Sequence, residues 1–186
     1  MEIYHKLPDV PKRIVDKYHI SIRRKYSREN ANLLVKYCYE QNIEEISNLI
    51  SHGLDLNQVV YMDAYPIRHL LLNLEIHVNV IEFLLQNGAN PNLTFNDEQY
   101  SNLSTSIIRG NNQSTKLLLK YGANVNVKNP NGYPPLMTAI LLKNKEIIRE
   151  CIKYGANKSF SNGKNTPYTL ASFFNENEII DILKEN

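Results

Sequence analysis

The sequence has few of the residues on which catalytic and metal sites depend. Its 186 residues include two cysteines, seven glycines and no tryptophan. The five histidines form no His-Glu-x-x-His pattern, and the chain has no Cys-x-x-Cys pair, so two common zinc signatures are missing. A glycine-rich phosphate loop is missing as well. The sequence therefore predicts a protein that is not an enzyme, with no cofactor, no metal and no small-molecule substrate.

Long apolar runs are also lacking. No stretch approaches the roughly 18 apolar residues of a membrane span, and the N-terminus lacks the apolar run of a secretion signal. The formal charge of +2 gives no overall bias toward nucleic acid or membrane. We therefore expect a cytoplasmic protein, in which Cys38 and Cys151 are reduced core residues, since both lie in apolar helical patterns.

What the sequence does contain is a phased repeat. Gly53, Gly88, Gly122 and Gly155 lie 35, 34 and 33 residues apart, and each follows an apolar stripe with helical periodicity. Glycine after a helix supplies the left-handed backbone that ends it. Most of these glycines open a Gly-Ala-Asn motif, and a fixed period of this length indicates a repeat array.

A second landmark, a proline that opens a short helix, precedes the second and fourth glycines and recurs near the C-terminus, at Pro66, Pro135 and Pro167. Together, these residues resemble the ankyrin family, whose unit reads as a turn, Thr-Pro-Leu-His, two helices and Gly-Ala-Asp-x-Asn. The resemblance covers about residues 31–186. It implies an all-α solenoid of stacked helix-turn-helix units with projecting turns.

We divide the chain into an N-terminal basic extension or cap and five ankyrin units. The extension is 1–30, and the units are 31–61, 62–95, 96–129, 130–162 and 163–186. The interval from Pro66 to Gly88 is 22 residues, against 20 from Pro135 to Gly155, so the second unit has two extra residues between its helices. Tyr65, Ser101 and Pro134 replace the usual threonine, which predicts weaker hydrogen bonding at those helix starts. The two end units are expected to act as caps.

The segment 1–30 has two further interpretations besides an extra helix packed on the first unit. Residues Leu7 to Tyr18 resemble the start of an F-box, which predicts a ubiquitin-ligase adaptor with a truncated F-box-like segment. The basic residues within 12–28 suggest contact with nucleic acid or an anionic membrane. A solvated helix face is the preferred interpretation of these cations, because no nucleic-acid-binding fold signature accompanies them.

The family resemblance places partner contacts on the turn tips and on the exposed side of the first helices. The tip residues that we expect to bind a partner protein are Val59, Val60, Tyr61, Met62, Phe95, Asp97, Glu98, Tyr100, Lys128, Tyr133 and Phe160. Expected contacts on the first helices are Arg68, Ser104, Arg109, Met137 and Lys143. Apolar and aromatic tips suit a binding hot spot, because they bring large contact area at low entropy cost.

The predicted function is therefore a non-enzymatic protein-interaction module whose partner is another protein. The short, drifted repeats resemble poxviral and bacterial ankyrin proteins, which implies a host-interaction or inhibitory role, with the host cytosol as location for a viral protein or a secreted effector. A toxin-neutralising immunity protein is a further alternative.

Overall fold

The computed structural model describes residues 32–57, 65–72, 77–94 and 100–185. Within these ranges the chain forms ten helices and no strand. The predicted extension 1–30 lies outside the described residues. Helix α1 covers residues 32–39. The others are α2 Ile43–Ser51, α3 Pro66–Leu72, α4 Val78–Gln86, α5 Asn102–Ile108, α6 Asn112–Lys120, α7 Pro135–Leu141, α8 Lys145–Lys153, α9 Pro167–Phe173 and α10 Asn177–Lys184.

Each range of the proposed division contains two of these helices, so we retain the division as a proposal. The odd-numbered helices are called the first helices and the even-numbered ones the second helices. Three residues separate the paired helices at 109–111, 142–144 and 174–176, whereas five residues, 73–77, separate α3 from α4. The second unit thus has the two extra residues that the proline-to-glycine interval predicts.

The starts of the first helices depend on the residue before the helix. Ser101 accepts a hydrogen bond from the backbone N–H of Ser104 at 3.1 Å, so serine retains the cap that the family's threonine would provide. The weaker bonding expected at this position is therefore not found. Pro134 has no side-chain cap, as its chemistry dictates, and Thr166 forms a reciprocal capping box with Thr169.

The units pack side by side in chain order. First helices contact first helices from α3 through α5 and α7 to α9, and second helices contact second helices from α4 through α6 and α8 to α10. Their apolar faces merge into one continuous core, in which Leu84, Leu118 and Ile148 are fully buried. None of the helices in the described ranges has the length and apolar character needed to cross a membrane.

Both cysteines belong to this core, as the sequence predicts. Cys38 and Cys151 are buried and free of any disulfide. Burial raises the pKa of each thiol to about 12, since the thiolate would be poorly solvated there. Both side chains are therefore neutral thiols at neutral pH.

Asparagine side chains join successive units at the base of the projecting turns. In each case the side-chain amide donates to the carbonyl of the helix-ending glycine in the next unit, and the side-chain oxygen accepts from a backbone N–H two residues beyond that glycine. The three bridging residues are Asn57, with Gly88 and Asn90; Asn92, with Gly122 and Asn124; and Asn126, with Gly155 and Asn157. These bonds fix the register of each unit on the next.

Candidate protein-binding surface

The two fully described turn tips have the same internal bracing. The Asn129 side chain accepts from the backbone N–H groups of Asn131 and Tyr133, both at 3.0 Å. In the next tip the Asn162 side chain accepts from the N–H groups of Lys164, at 3.1 Å, and Asn165, at 2.8 Å. An asparagine carbonyl that accepts from the following backbone stabilises a tight turn, so both tips have fixed shapes.

Contacts between neighbouring tips unite several predicted binding residues. The Nζ atom of Lys128 lies 5.1 Å from the ring centroid of Phe160 in the next tip, within cation–π range. The Tyr100 hydroxyl accepts a hydrogen bond of 2.9 Å from the Asn131 side chain. Tyr133 and Phe160 are half-buried and pack against the core. The structure therefore brings Tyr100, Lys128, Tyr133 and Phe160 together along three successive turns.

The remaining tip residues of the sequence prediction cannot be placed in this way. They fall in the two turns whose tips are outside the described residues: Val59, Val60, Tyr61, Met62, Phe95, Asp97 and Glu98.

Arg68 does not lie on the exposed side of its helix. It is buried, and its guanidinium donates to the backbone carbonyl of Tyr100 and to the Thr105 hydroxyl in the next unit. Burial lowers the pKa of Arg68, because desolvation penalises its charged form. The side chain thus supports the base of the Tyr100 turn, and we remove Arg68 from the set of direct partner contacts.

The prediction that Ser104 and Met137 face a partner is wrong, since both side chains are fully buried. Both lie in the middle of a first helix and are covered by the adjoining units. Arg109 and Lys143, which follow α5 and α7, are exposed as expected. The Lys143 ammonium pairs with the Glu176 carboxylate at 2.8 Å.

The last residue of every first helix is exposed, and in α3, α5 and α7 it is the only exposed residue of the helix, a pattern that the sequence analysis missed. We call these five side chains the apolar row: Tyr39, Leu72, Ile108, Leu141 and Phe173, with exposures of 38%, 42%, 46%, 37% and 78%. In α5 and α7 all six preceding residues are buried. The sequence does contain a signal for the last four members of the row. Each is an apolar residue six positions after the first residue of its helix, so the same position of the repeat is apolar in four units.

The sequence model for ankyrin repeats, in three copies, matches residues 103–186. Residues 103–186 are ankyrin repeats. The match begins within α5 and extends through α6 to α10, so the predicted family and its all-α solenoid fold are confirmed. A search of curated protein sequences finds no match to the chain. Ankyrin repeats are generally protein-interaction modules and are typically non-enzymatic.

Charges on the second helices of these ankyrin repeats are paired with one another across units. Lys116 pairs with Glu146, Lys120 with Glu82, Lys145 with Glu178 and Arg149 with Glu185. Hydrogen bonds from Lys116 and then Asn112 lower the pKa of the Glu146 carboxyl, so this group stays ionised at neutral pH. From α4 to α10 this side of the array therefore pairs its own charges.

The tips and first helices of the ankyrin repeats carry a different electrostatic pattern. Within the described ranges, Arg109 and Lys164 are exposed and their side chains make no ion pair, while Lys128 contacts only the Phe160 ring. The same part of the chain contains no group of three or more His, Cys, Asp or Glu side chains able to hold a metal ion. Among its described residues, this side of the molecule therefore combines apolar surface with exposed cations that make no ion pair.

Proposed function

We propose that this protein acts by holding another protein against its turn tips and the adjoining concave face of the first helices. The observation that carries this proposal is the connected set of tips in which Asn131 binds Tyr100 and Lys128 contacts Phe160. Braced tips lose little conformational entropy on binding, and the aromatic side chains offer the contact area that hot spots require.

Binding itself is the proposed activity, without chemical change of the partner, in the cytoplasm. A host-interaction or inhibitory role follows from this mode, because a protein covered along several turns is prevented from using that surface. The undescribed tip residues Val59, Val60, Tyr61, Met62, Phe95, Asp97 and Glu98 belong to the same proposed surface. The adaptor hypothesis concerns 1–30 and predicts that deleting this segment stops partner degradation while partner capture persists.

The proposal is tested by capture from cytosol with charge-reversed tips. The full-length chain carrying Lys128→Glu and Lys164→Glu should capture at least about tenfold less of the partner identified with the unmodified chain, since electrostatic complementarity of the surface is inverted. Lys153→Glu provides the control, because Lys153 is also exposed but lies on the second helix α8. Helical circular dichroism should be the same for all variants.

One result of this capture experiment would exclude the proposed surface. Capture that survives both tip substitutions but is lost with Lys153→Glu would place the partner on the second helices instead.

A further inference from the structure

We infer that the apolar row binds an acidic amphipathic α-helix of the partner protein. This inference rests on the proposed function and specifies the chemistry of the segment that the concave face receives. Three observations carry it: the exposure of the row, its spacing, and the distribution of charge around it.

In the three central first helices, α3, α5 and α7, the exposure is confined to the last residue. Six of the seven residues in α5 and in α7 are buried, so Ile108 and Leu141 are what these helices offer to a partner. Leu142 extends the row beside Leu141 and is 50% exposed. Single exposed apolar residues are common on protein surfaces, but apolar residues that recur on adjoining helices form a larger patch of the kind that marks an interaction site.

The spacing of the row fits a helix. The first helices α3, α5, α7 and α9 pack directly on one another, and packed helices lie about 8–10 Å apart. In an α-helix, residues seven positions apart share one face and are separated by about 10.5 Å. A partner helix that runs along the array therefore places one apolar side chain against each member of the row. A β-strand brings a side chain to the same face about every 6.7 Å, which does not match.

The charges of the described first helices and their connections favour an acidic partner. The described residues of all five first helices contain no aspartate or glutamate. Two acids lie in the adjoining connections that are described, and both are already paired: Glu40 with Lys36 and Glu176 with Lys143. Arg109, next to Ile108, makes no ion pair with any described residue. Carboxylates beside the apolar stripe of the partner helix would compensate this charge.

The experiment is a selection from a displayed peptide library on the full-length chain. Peptides of three heptads carry leucine at seven-residue intervals, and the flanking positions vary between glutamate and lysine. A second library of equal length alternates apolar and polar residues with strand periodicity. We expect enrichment of heptad peptides rich in glutamate, and weaker binding of the selected peptide at high salt.

Variants of the row locate the bound peptide. Ile108→Glu and Leu141→Glu should each weaken the selected peptide at least about tenfold, whereas Tyr154→Glu, at an exposed aromatic of 39% exposure beside α8, should leave its affinity unchanged. Arg109→Glu retains the row and should shift the selection from glutamate toward lysine. This last variant keeps the test decisive if a row substitution disturbs folding, which circular dichroism would reveal.

Three outcomes would overturn the inference: enrichment of strand-pattern or lysine-rich peptides, no enrichment at all, or equal sensitivity to Ile108→Glu and Tyr154→Glu. The proposed function would survive any of these, because partner capture and its loss with Lys128→Glu and Lys164→Glu are measured independently. If the Lys128→Glu and Lys164→Glu substitutions leave partner capture unchanged while the peptide results are as expected, the apolar row alone binds the partner and the proposed tip surface is wrong.

Discussion

The Asn126 side chain bridges to the backbone of Gly155 in the following unit. Its amide donates to the Gly155 carbonyl at 3.0 Å, and its oxygen accepts from the Asn157 N–H at 2.8 Å. The carbonyl and the N–H belong to the turn that ends helix α8 and would otherwise face solvent. One side chain thus adds two hydrogen bonds to the packing that holds one helix pair on its neighbour.

Removing this bridge should weaken the array measurably. We expect Asn126→Ala to lower the free energy of unfolding by about 1 kcal/mol or more, because two hydrogen bonds between units are lost. Asn177→Ala is the matched control, since Asn177 is exposed and its side chain makes no hydrogen bond with any described residue. Urea denaturation monitored by circular dichroism measures both, and equal midpoints would contradict the proposed role of Asn126.

The connections between paired helices provide a second test. Their middle residues, Gln41, Gly110, Lys143 and Asn175, have positive φ angles of 53°, 70°, 55° and 54°. For residues other than glycine this backbone conformation is less stable by about 1–2 kcal/mol. Gln41→Gly should therefore stabilise the protein by about 1 kcal/mol, since the Gln41 side chain is exposed and makes no hydrogen bond or ion pair with any described residue.

The converse substitution controls for general effects of glycine. Gly110→Ala meets no atom within 4 Å, so any loss of stability reflects backbone strain alone. Thermal unfolding should shift in opposite directions for the two variants, and shifts of the same sign would refute this account of the connections.

The buried thiols make a third prediction. Burial raises the pKa of Cys38 and Cys151 to about 12, and only the thiolate reacts readily with an aromatic disulfide reagent. At pH 8 both cysteines should be unreactive in the native protein and should react fully in urea, where their pKa returns to its ordinary value. The absorbance of the released thiol follows the reaction; rapid labelling of native protein would show that the core admits the reagent.

The helix pairs and their period could be predicted from the sequence because they depend on local signals. Gly155 ends a helix by its own conformation, and Pro135 opens one by its own ring geometry, so the phase of the repeat is visible in the chain. The longer connection in the second unit was visible in the same way, as a count of residues between Pro66 and Gly88.

The side chains that face a partner could not be identified in this way. Arg68 was expected on the surface from its position in a first helix of the resembled repeat, but its guanidinium binds Tyr100 and Thr105 of the next unit. Ser104 and Met137 are fully buried in first helices that pack on the first helices of neighbouring units. The packing of neighbouring units determines which side of a first helix is exposed to solvent. The apolar row could therefore be recognised only from the exposed fractions of its side chains.

The asparagine bridges described above also determine how the molecule would yield under mechanical load. Each bridge joins one unit only to the next, as Asn92 joins Gly122 and Asn126 joins Gly155. A pulling force along the array therefore acts on these links in series, and the weakest one breaks before the others are loaded to failure. We expect such a chain to lengthen in steps of one helix pair at a time, while the units that stay folded keep their structure and their binding surface.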